Sequence, residues 1–393
     1  MKEIRIGDIC EIINGFAFKS KKYVPDGIRI IRITNVQKGY IEDSTPVFYR
    51  DNSPNLERYM LKEGDLLISL TGNVGRVAIV DKKFLPAALN QRVACLRMKT
   101  NQVKKKYLFY FLNSDFFEQH CLQSSKGIAQ KNMSTEWLKN YKIPFYSNLE
   151  QTEIVKIFDI LSILISLRKQ ELKEYDQLLK SRFIEMFGDP LSNEMCWEQV
   201  PLSACIESID NGKSFVCDSE AREGDWPAVL KLSAATYGYY RPEENKAIFD
   251  KSQFIEDAAV RVGDLLFTRK NTPELVGMCA YVYDTPSNLM MPDLIFRLNT
   301  NKRCNKIFLW KLINHNLFRD CIQAIATGSA KSMSNISKER LLGLKIILPP
   351  IKLQKQFAAF VAQTDKSKLI IQKSLDELET LNKALMQKYF GGN

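Results

Sequence analysis

The tetrapeptide Arg269-Lys270-Asn271-Thr272 places four hydrogen-bonding side chains of different reach on one short segment. Arg and Lys donate to guanine, Asn bridges adenine, and Thr contacts base edges or phosphates, so the run has the chemistry of a base-reading loop. A smaller version stands nearer the N-terminus, where Asn73 and Arg76 share one loop. Asn90-Gln91-Arg92, Lys19, Lys21, Lys22 and Lys213 add donors suited to bases or to phosphate oxygens.

Groups for catalysis are scarce. The two histidines, His120 and His315, fall in helix-like apolar segments without metal-ligand spacing. That removes an H-E-x-x-H zinc site and makes a serine triad a poor fit. Asn211 to Phe215 ends like a Walker loop, but Glu207 stands where the first glycine should be. There is no G-x-G-x-x-G fingerprint and no Asn/Asp-Pro-Pro-aromatic tetrapeptide of the amino-methyltransferase kind. Asp81-Lys82-Lys83 has the D-x-K form of many nucleases, a tripeptide that is common by chance. These residues predict a binder without a reaction of its own, with no metal or cofactor held by this chain.

Strands must position such side chains. "GDLLISLTGNVGRVAIV" (64–80) reads as a hairpin, Leu66–Leu70 with Arg76–Val80, around a turn in which Gly72-Asn73 supplies positive φ. A phosphate-cradling loop would open a helix, whereas the residues after this turn are strand-like. "GDLLFTRKNTPELVGMCAYV" (263–282) keeps that frame and rewrites its middle, with a longer turn from Lys270 to Gly277.

The whole chain is written twice. "IRITNVQKGY" (31–40) lies over "LKLSAATYGY" (230–239), which sets Arg32 on Lys231 and Thr34 on Ser233; all four join the DNA-contact candidates. "YLFYFLNSDFF" (107–117) matches "FLWKLINHNLF" (308–318), and "KIPFYSNLEQ" (142–151) matches "KIILPPIKLQ" (345–354). Two copies are too few for a solenoid; a fold duplicated for size or stability would explain them, but a kept frame with divergent loops better suits a protein that touches a pseudo-symmetric partner twice. The formal charge of +11 is uneven: residues 1–148 hold 24 Lys and Arg against 14 Asp and Glu, while 189–348 hold 19 against 20. A basic first half points to a polyanion. The length suits two or three domains, and 45 % hydrophobic with 26 % charged residues suits a soluble globular chain. No apolar run reaches the roughly 18–20 residues of a membrane span, so no membrane partner is expected. Nine cysteines without a C-x-x-C pair predict reduced thiols and a cytoplasmic protein.

Leu149 to Phe187 and Pro350 to Phe390 read as two long helices, ended by Gly188 and by Gly391-Gly392. The second carries a coiled-coil seam at Ile371, Leu375, Leu378, Asn382, Leu385 and Tyr389. The first has a less regular stripe at Ile154, Phe158, Leu161, Leu164, Leu172, Tyr175, Leu179 and Met186. With no local sheet to cover, these stripes are expected to pair with each other, antiparallel. About 38 residues at ~1.5 Å each make a rod of roughly 57 Å, comparable to ~17 base pairs of DNA. The expected fold class is α+β: two similar domains of mixed sheet and helices (1–148 and 189–348), separated by two antiparallel coiled-coil helices (149–188 and 349–393) in a pseudo-twofold repeat.

In this order, "IRIGDICEIINGFAFKS", "GDLLISLTGNVG", "LNQRVACLR", "KNMSTEWLKNYKIP" and "LEQTEIVKIFD", with their second copies "GDLLFTRKNTPELVG" and "KSMSNISKERLLGLKIILPP", resemble the specificity (S) subunit of type I restriction-modification systems. The resemblance implies two target-recognition domains, each reading half of a bipartite site in double-stranded DNA, with the helices fixing the unread gap. It implies docking of two modification subunits that bind S-adenosylmethionine, and of two restriction subunits that use ATP and Mg2+. This chain would then supply address and no catalysis. An S-like subunit of a fused methyltransferase–nuclease system, or a coiled-coil scaffold that binds protein alone, are the alternatives. "FYSN" (145–148) departs from the usual Pro-Pro ending, and the first loop lacks the Arg-Lys-Asn-Thr element.

Overall fold

A computed structural model describes residues 2–50, 54–125, 132–218, 220–327 and 333–391. Lys131, Lys331 and Ser332 of the two K-x-M-S motifs lie outside the described residues, as do Met1 and Asn393 at the expected domain limits. The chain divides into two compact units, Met1–Gln170 with Gln372–Asn393, and Glu171–Ile371. Each therefore takes part of both long helices.

In the first unit a four-stranded antiparallel sheet runs in the order Cys10–Asn14, Val93–Met98, Leu66–Ser69, Val77–Ile79. A second sheet is ordered Tyr23–Val24, Phe48–Tyr49, Ile28–Ile31, Ala87–Leu89, with Ile30 facing Ala88 in its parallel pair. Leu66 and Ile68 pack on Tyr107 and Phe111 of the helix Lys105–Leu112. Leu67 points the other way, onto Ile31 and Leu89 of the second sheet. A strand covered on both faces reads as an unbroken apolar run, which is why Leu66-Leu67-Ile68 does not alternate.

The second unit repeats the plan. Its four-stranded sheet is ordered Ile206–Asn211, Ile295–Thr300, Leu265–Thr268, Cys279–Tyr281, and its smaller sheet Asn245–Ala247, Ala228–Leu230, Leu289–Met290 again contains one parallel pair, Val229 facing Met290.

The shared Gly-Asp-Leu-Leu frame has a structural cause. Gly64 and Gly263 take φ of +79° and +89°, a region L side chains rarely adopt. The following carboxylate then turns back to accept a backbone N–H, Lys62 to Asp65 at 2.8 Å and Arg261 to Asp264 at 2.9 Å. Each buried carboxylate also meets an arginine from the adjacent strand, Arg97 at 2.6 Å and Arg297 at 3.1 Å. Asn-Gly recurs for a similar reason. A Cβ on Gly15 would lie 1.9 Å from the Asn90 carbonyl oxygen, and one on Gly212 would lie 2.1 Å from that of Met291. The Walker-like ending of 211–215, already set aside because Glu207 replaces the first glycine, is a close backbone crossing at Gly212.

The long helices, Asn148–Phe187 and Ile351–Phe390, each run unbroken over 40 residues. Within the first unit Ile154, Phe158 and Leu161 share a core with Phe390, and Leu378 and Leu385 pack against it. Phe158 and Phe390 stack at 5.5 Å, and Lys169 pairs with Glu379 at 2.7 Å, so the segments are antiparallel there. Within the second unit Leu179, Phe183 and Phe187 meet Phe357 and Val361, and Lys368 pairs with Asp176 at 2.5 Å, again antiparallel. Leu375 is buried, while Leu172, Tyr175, Ile371 and Asn382 are half-buried. Leu164, read from spacing as part of the seam, is 37 % exposed instead. It joins Ile160, Ile163 and Leu167, also exposed, in a stripe at i, i+3, i+4 and i+7.

A buried glutamine opens each helix. Gln354 receives the N–H of Asn305 at 2.8 Å and donates to the carbonyls of Pro349 at 2.7 Å and Arg303 at 3.1 Å. Gln151 does the same with Lys104, Tyr146 and Gln102, at 2.7, 2.8 and 3.0 Å. Substitution by leucine would fill the space and leave three backbone groups without partners. Gln354→Leu is expected to cost about 3 kcal/mol, measurable as a lower urea midpoint at unchanged slope.

Candidate nucleic-acid interface

The rewritten loop leaves the frame strand at Thr268. Its Lys270–Asn271 segment forms a short antiparallel ladder with Ser334–Asn335, pairing Lys270 with Asn335 and Asn271 with Ser334. Arg269 N–H donates to the Leu294 carbonyl at 3.0 Å, and its own carbonyl receives the N–H of Ile336 at 2.8 Å. The guanidinium lies 4.9 Å over the Phe296 ring, and its Nε and Nη2 each reach Asn335 Oδ1 at 3.3 Å. A planar fork held in this way loses little freedom when it meets a guanine edge. Lys270 is half-buried and Thr272 exposed.

Asn271 departs from the expected presentation. It is 8 % exposed, its amide donates to Thr236 Oγ1 at 3.1 Å, and its Oδ1 accepts the N–H of Thr272 at 2.8 Å. In the structure it braces the loop. Asn90 is also buried and donates to the Tyr23 hydroxyl at 3.4 Å. Polar type matched base chemistry at both positions, but the direction of each side chain is set by packing.

In the first unit the matching ladder is a single bridge, Thr71 opposite Asn132, closed by Thr71 Oγ1 to Asn132 Oδ1 at 2.7 Å. The turn takes its positive φ at Gly72 and Gly75, not at Asn73. Asn73 is exposed at the tip. Leu70 N–H donates to the Arg92 carbonyl at 2.8 Å, and Gln91 N–H to that of Phe16 at 2.8 Å. Those bonds bring Asn73, Gln91, Arg92 and the segment leading to the exposed Lys19, Lys21 and Lys22 onto adjoining loops. Arg76 forms a separate group. Its Nη1 donates to Gln37 Oε1, and Gln37 in turn donates to the Thr34 carbonyl at 2.9 Å. Arg32 Nη2 donates to the Thr45 carbonyl at 3.1 Å, and Thr34 is exposed. In the second unit Lys213 is exposed, Lys231 is half-buried, and Ser233 Oγ donates to Glu244 at 2.7 Å.

Sequence reading passed over Asn335 and Asn132, the residues that hold the loops from 61–66 positions away. Each opens an Asn-apolar-Ser run, Asn132-Met133-Ser134 and Asn335-Ile336-Ser337, and that repeat was the available signal. The residues weighed for catalysis have structural partners. Asp81 caps the turn Lys82–Phe84 through the N–H of Lys83 at 3.1 Å. His120 Nδ1 meets the Tyr141 hydroxyl at 2.6 Å. His315 stacks on Phe183 at 4.9 Å, where burial and nearby Lys180 hold its ring below the ordinary histidine pKa. Among the described residues no helix is long and apolar enough to cross a membrane.

Comparison with known proteins adds an independent line. Residues 1–175 and 197–380 match the family described as the type I restriction modification DNA specificity domain. The type I restriction enzyme EcoAI specificity subunit of Escherichia coli is 32 % identical over 162 residues, covering 40 % of this chain and 27 % of that protein. The StySPI specificity subunit of Salmonella potsdam is 21 % identical over 98 % of this chain and 88 % of its own. The alignments span 27 to 43 % of the length of the first three curated relatives. Among solved structures, the type I system S subunit from M. genitalium superposes with a TM-score of 0.57 at 16 % identity, covering 99 % of this chain and 96 % of that one. A chain from work on complex assembly and conformational transition of the type I R-M system gives 0.55 at 17 % identity, covering 99 % and 97 %.

Proposed function

The chain belongs to the type I restriction-modification DNA specificity family, and from that premise we propose that it is the target-reading subunit of such a system. Each unit reads one half of a bipartite duplex site, and the paired helices fix the number of unread base pairs between the halves. The exposed Ile160–Leu167 stripe forms part of the surface on which two modification subunits dock. Those subunits supply S-adenosylmethionine and adenine methylation, and two restriction subunits supply ATP- and Mg2+-dependent cleavage. This chain contributes address without chemistry.

One observation carries the reading. Two units share sheet order, the Gly-Asp frame and the asparagine-held ladder, yet differ at the loop that frame presents: Leu70-Thr71-Gly72-Asn73 in one, Arg269-Lys270-Asn271-Thr272 in the other. A scaffold kept while its tip is rewritten is the pattern of a reader with two different half-sites. Deleting the gene is expected to erase one bipartite adenine-methylation motif from the genome, and restoring it should bring that motif back. A methylome unchanged by deletion would overturn the proposal.

A further inference from the structure

Next to the Arg269 loop the second unit has an open cleft of about 380 Å³, with Phe215, Leu230 and Leu294 among its apolar lining and Lys231, Ser233 and Lys246 among its polar lining. Lys246 stands directly opposite Val229 in the antiparallel pair, and Lys231, two residues beyond Val229, emerges on the same face. The cleft is continuous with the loop: Leu294 accepts the Arg269 N–H at 3.0 Å, and Asn271 is bonded to Thr236 of the short helix that begins at Ser233. Lys213 sits beside it, its ammonium 5.3 Å over the Phe215 ring.

Charge makes this cleft distinctive. Residues 189–348 carry 19 basic against 20 acidic side chains, so this half has no general attraction for a polyanion. Many of its cations are neutralised, as Arg241, Arg261 and Arg303 are by Glu243, Glu256 and Glu198. Among the described residues Lys231 and Lys246 form no ion pair. The neighbouring carboxylates are engaged elsewhere: Glu244 by Ser233 and Arg241, Asp293 by Ser214. The first unit keeps a cation at the same repeat position, Arg32, whose Nε is buried without a partner.

We propose that this cleft is where the second unit grips the sugar-phosphate backbone beside the bases its loop reads, Lys231 and Lys246 each meeting a phosphate and the apolar lining meeting deoxyribose. The inference rests on the DNA-reading role and adds the contact that sets the loop's register on the duplex. It is tested on the full chain co-purified with its modification subunits, binding a duplex that carries the methylated motif, with affinity followed by anisotropy across a salt series. In Lys231→Gln/Lys246→Gln the slope of log affinity against log salt should fall by about 1.8, at ~0.9 per phosphate. The affinity lost between about 50 and 200 mM salt is then ~12-fold smaller than in the unmodified complex. The motif itself should not change, and Lys302→Gln, at an exposed lysine of the same unit away from the cleft, should leave the slope unaltered. An unchanged slope in the double variant, an equal drop in Lys302→Gln, or an altered motif would each overturn the backbone grip. Failure of the unmodified complex to bind the duplex would instead overturn the DNA-reading role itself.

Discussion

Arg297→Ala is expected to destabilise the second unit by about 3–5 kcal/mol, the range for removing one partner of a buried ion pair. Arg297 is only 6 % exposed, and its guanidinium nitrogens are all bonded. Nε reaches Asp210 at 3.0 Å, Nη1 reaches Asp264 at 3.1 Å and the Ala259 carbonyl at 2.8 Å, and Nη2 reaches the Asp257 carbonyl at 2.5 Å. Truncation strands the buried Asp264 carboxylate and orphans two carbonyls, which costs more than the pair itself is worth. At ~2–4 °C per kcal/mol for a unit of this size, a melting temperature about 10 °C lower is expected. Acid dependence supplies a second readout. Burial pushes the Asp210 carboxyl up, but hydrogen bonds from Arg297 and Asn299 outweigh it and hold the group below the usual carboxylate range. A carboxyl lowered on folding stabilises above its unfolded pKa, and that contribution is lost as pH falls through the folded value. Arg297→Ala should therefore flatten the acid limb of the stability curve as well as lower it. A variant that melts within about 1 °C of the parent at pH 7 would contradict this account of the frame.

The Gly-Asp-Leu-Leu repeat was visible in the chain, but its cause was not. Arg97 and Arg297 lie 32 and 33 residues beyond the carboxylates they neutralise, and spacing of that size carries no periodic signal. The long helices were legible because nothing in them breaks a helix. Which stripe they bury was only half legible: Ile154, Phe158 and Leu161 are in the core, whereas Leu164 lies on an exposed apolar face with the same spacing. Spacing states that a face is apolar and does not say what covers it. The loops show the same limit at the scale of one side chain. An asparagine suits adenine and suits a neighbouring hydroxyl equally well, so Asn271 and Asn90 could not be told from readers until their burial was known. Asn335 escaped notice because a side chain that orients another has no motif of its own. Repeats preserve such partners, and the matched positions of Asn132 and Asn335 in the two ladders are the trace they leave.

Arg269→Ala should lower affinity for the cognate duplex by about 1–3 kcal/mol, roughly 5- to 150-fold, and relax the methylated motif in one half-site only. The size follows from how the side chain is held. Stacked on Phe296 and bonded twice to Asn335, the guanidinium has already surrendered much of the rotamer entropy that a flexible surface arginine would lose on binding. Arg269→Lys should fare little better, because an ammonium cannot reproduce the planar fork. Asn271→Ala offers an instructive contrast. Its amide is spent on Thr236 of the neighbouring helix and its side-chain oxygen on the loop's own Thr272 N–H, so the change should lower the melting temperature and blur reading across the whole half-site, where Arg269→Ala relaxes one position with little loss of stability. Methylome sequencing of each variant, beside thermal melts of the purified complexes, separates the two outcomes. Loss spread evenly over both half-sites in Arg269→Ala, or no change in either, would mean that this arginine serves the loop's shape and another group reads the base.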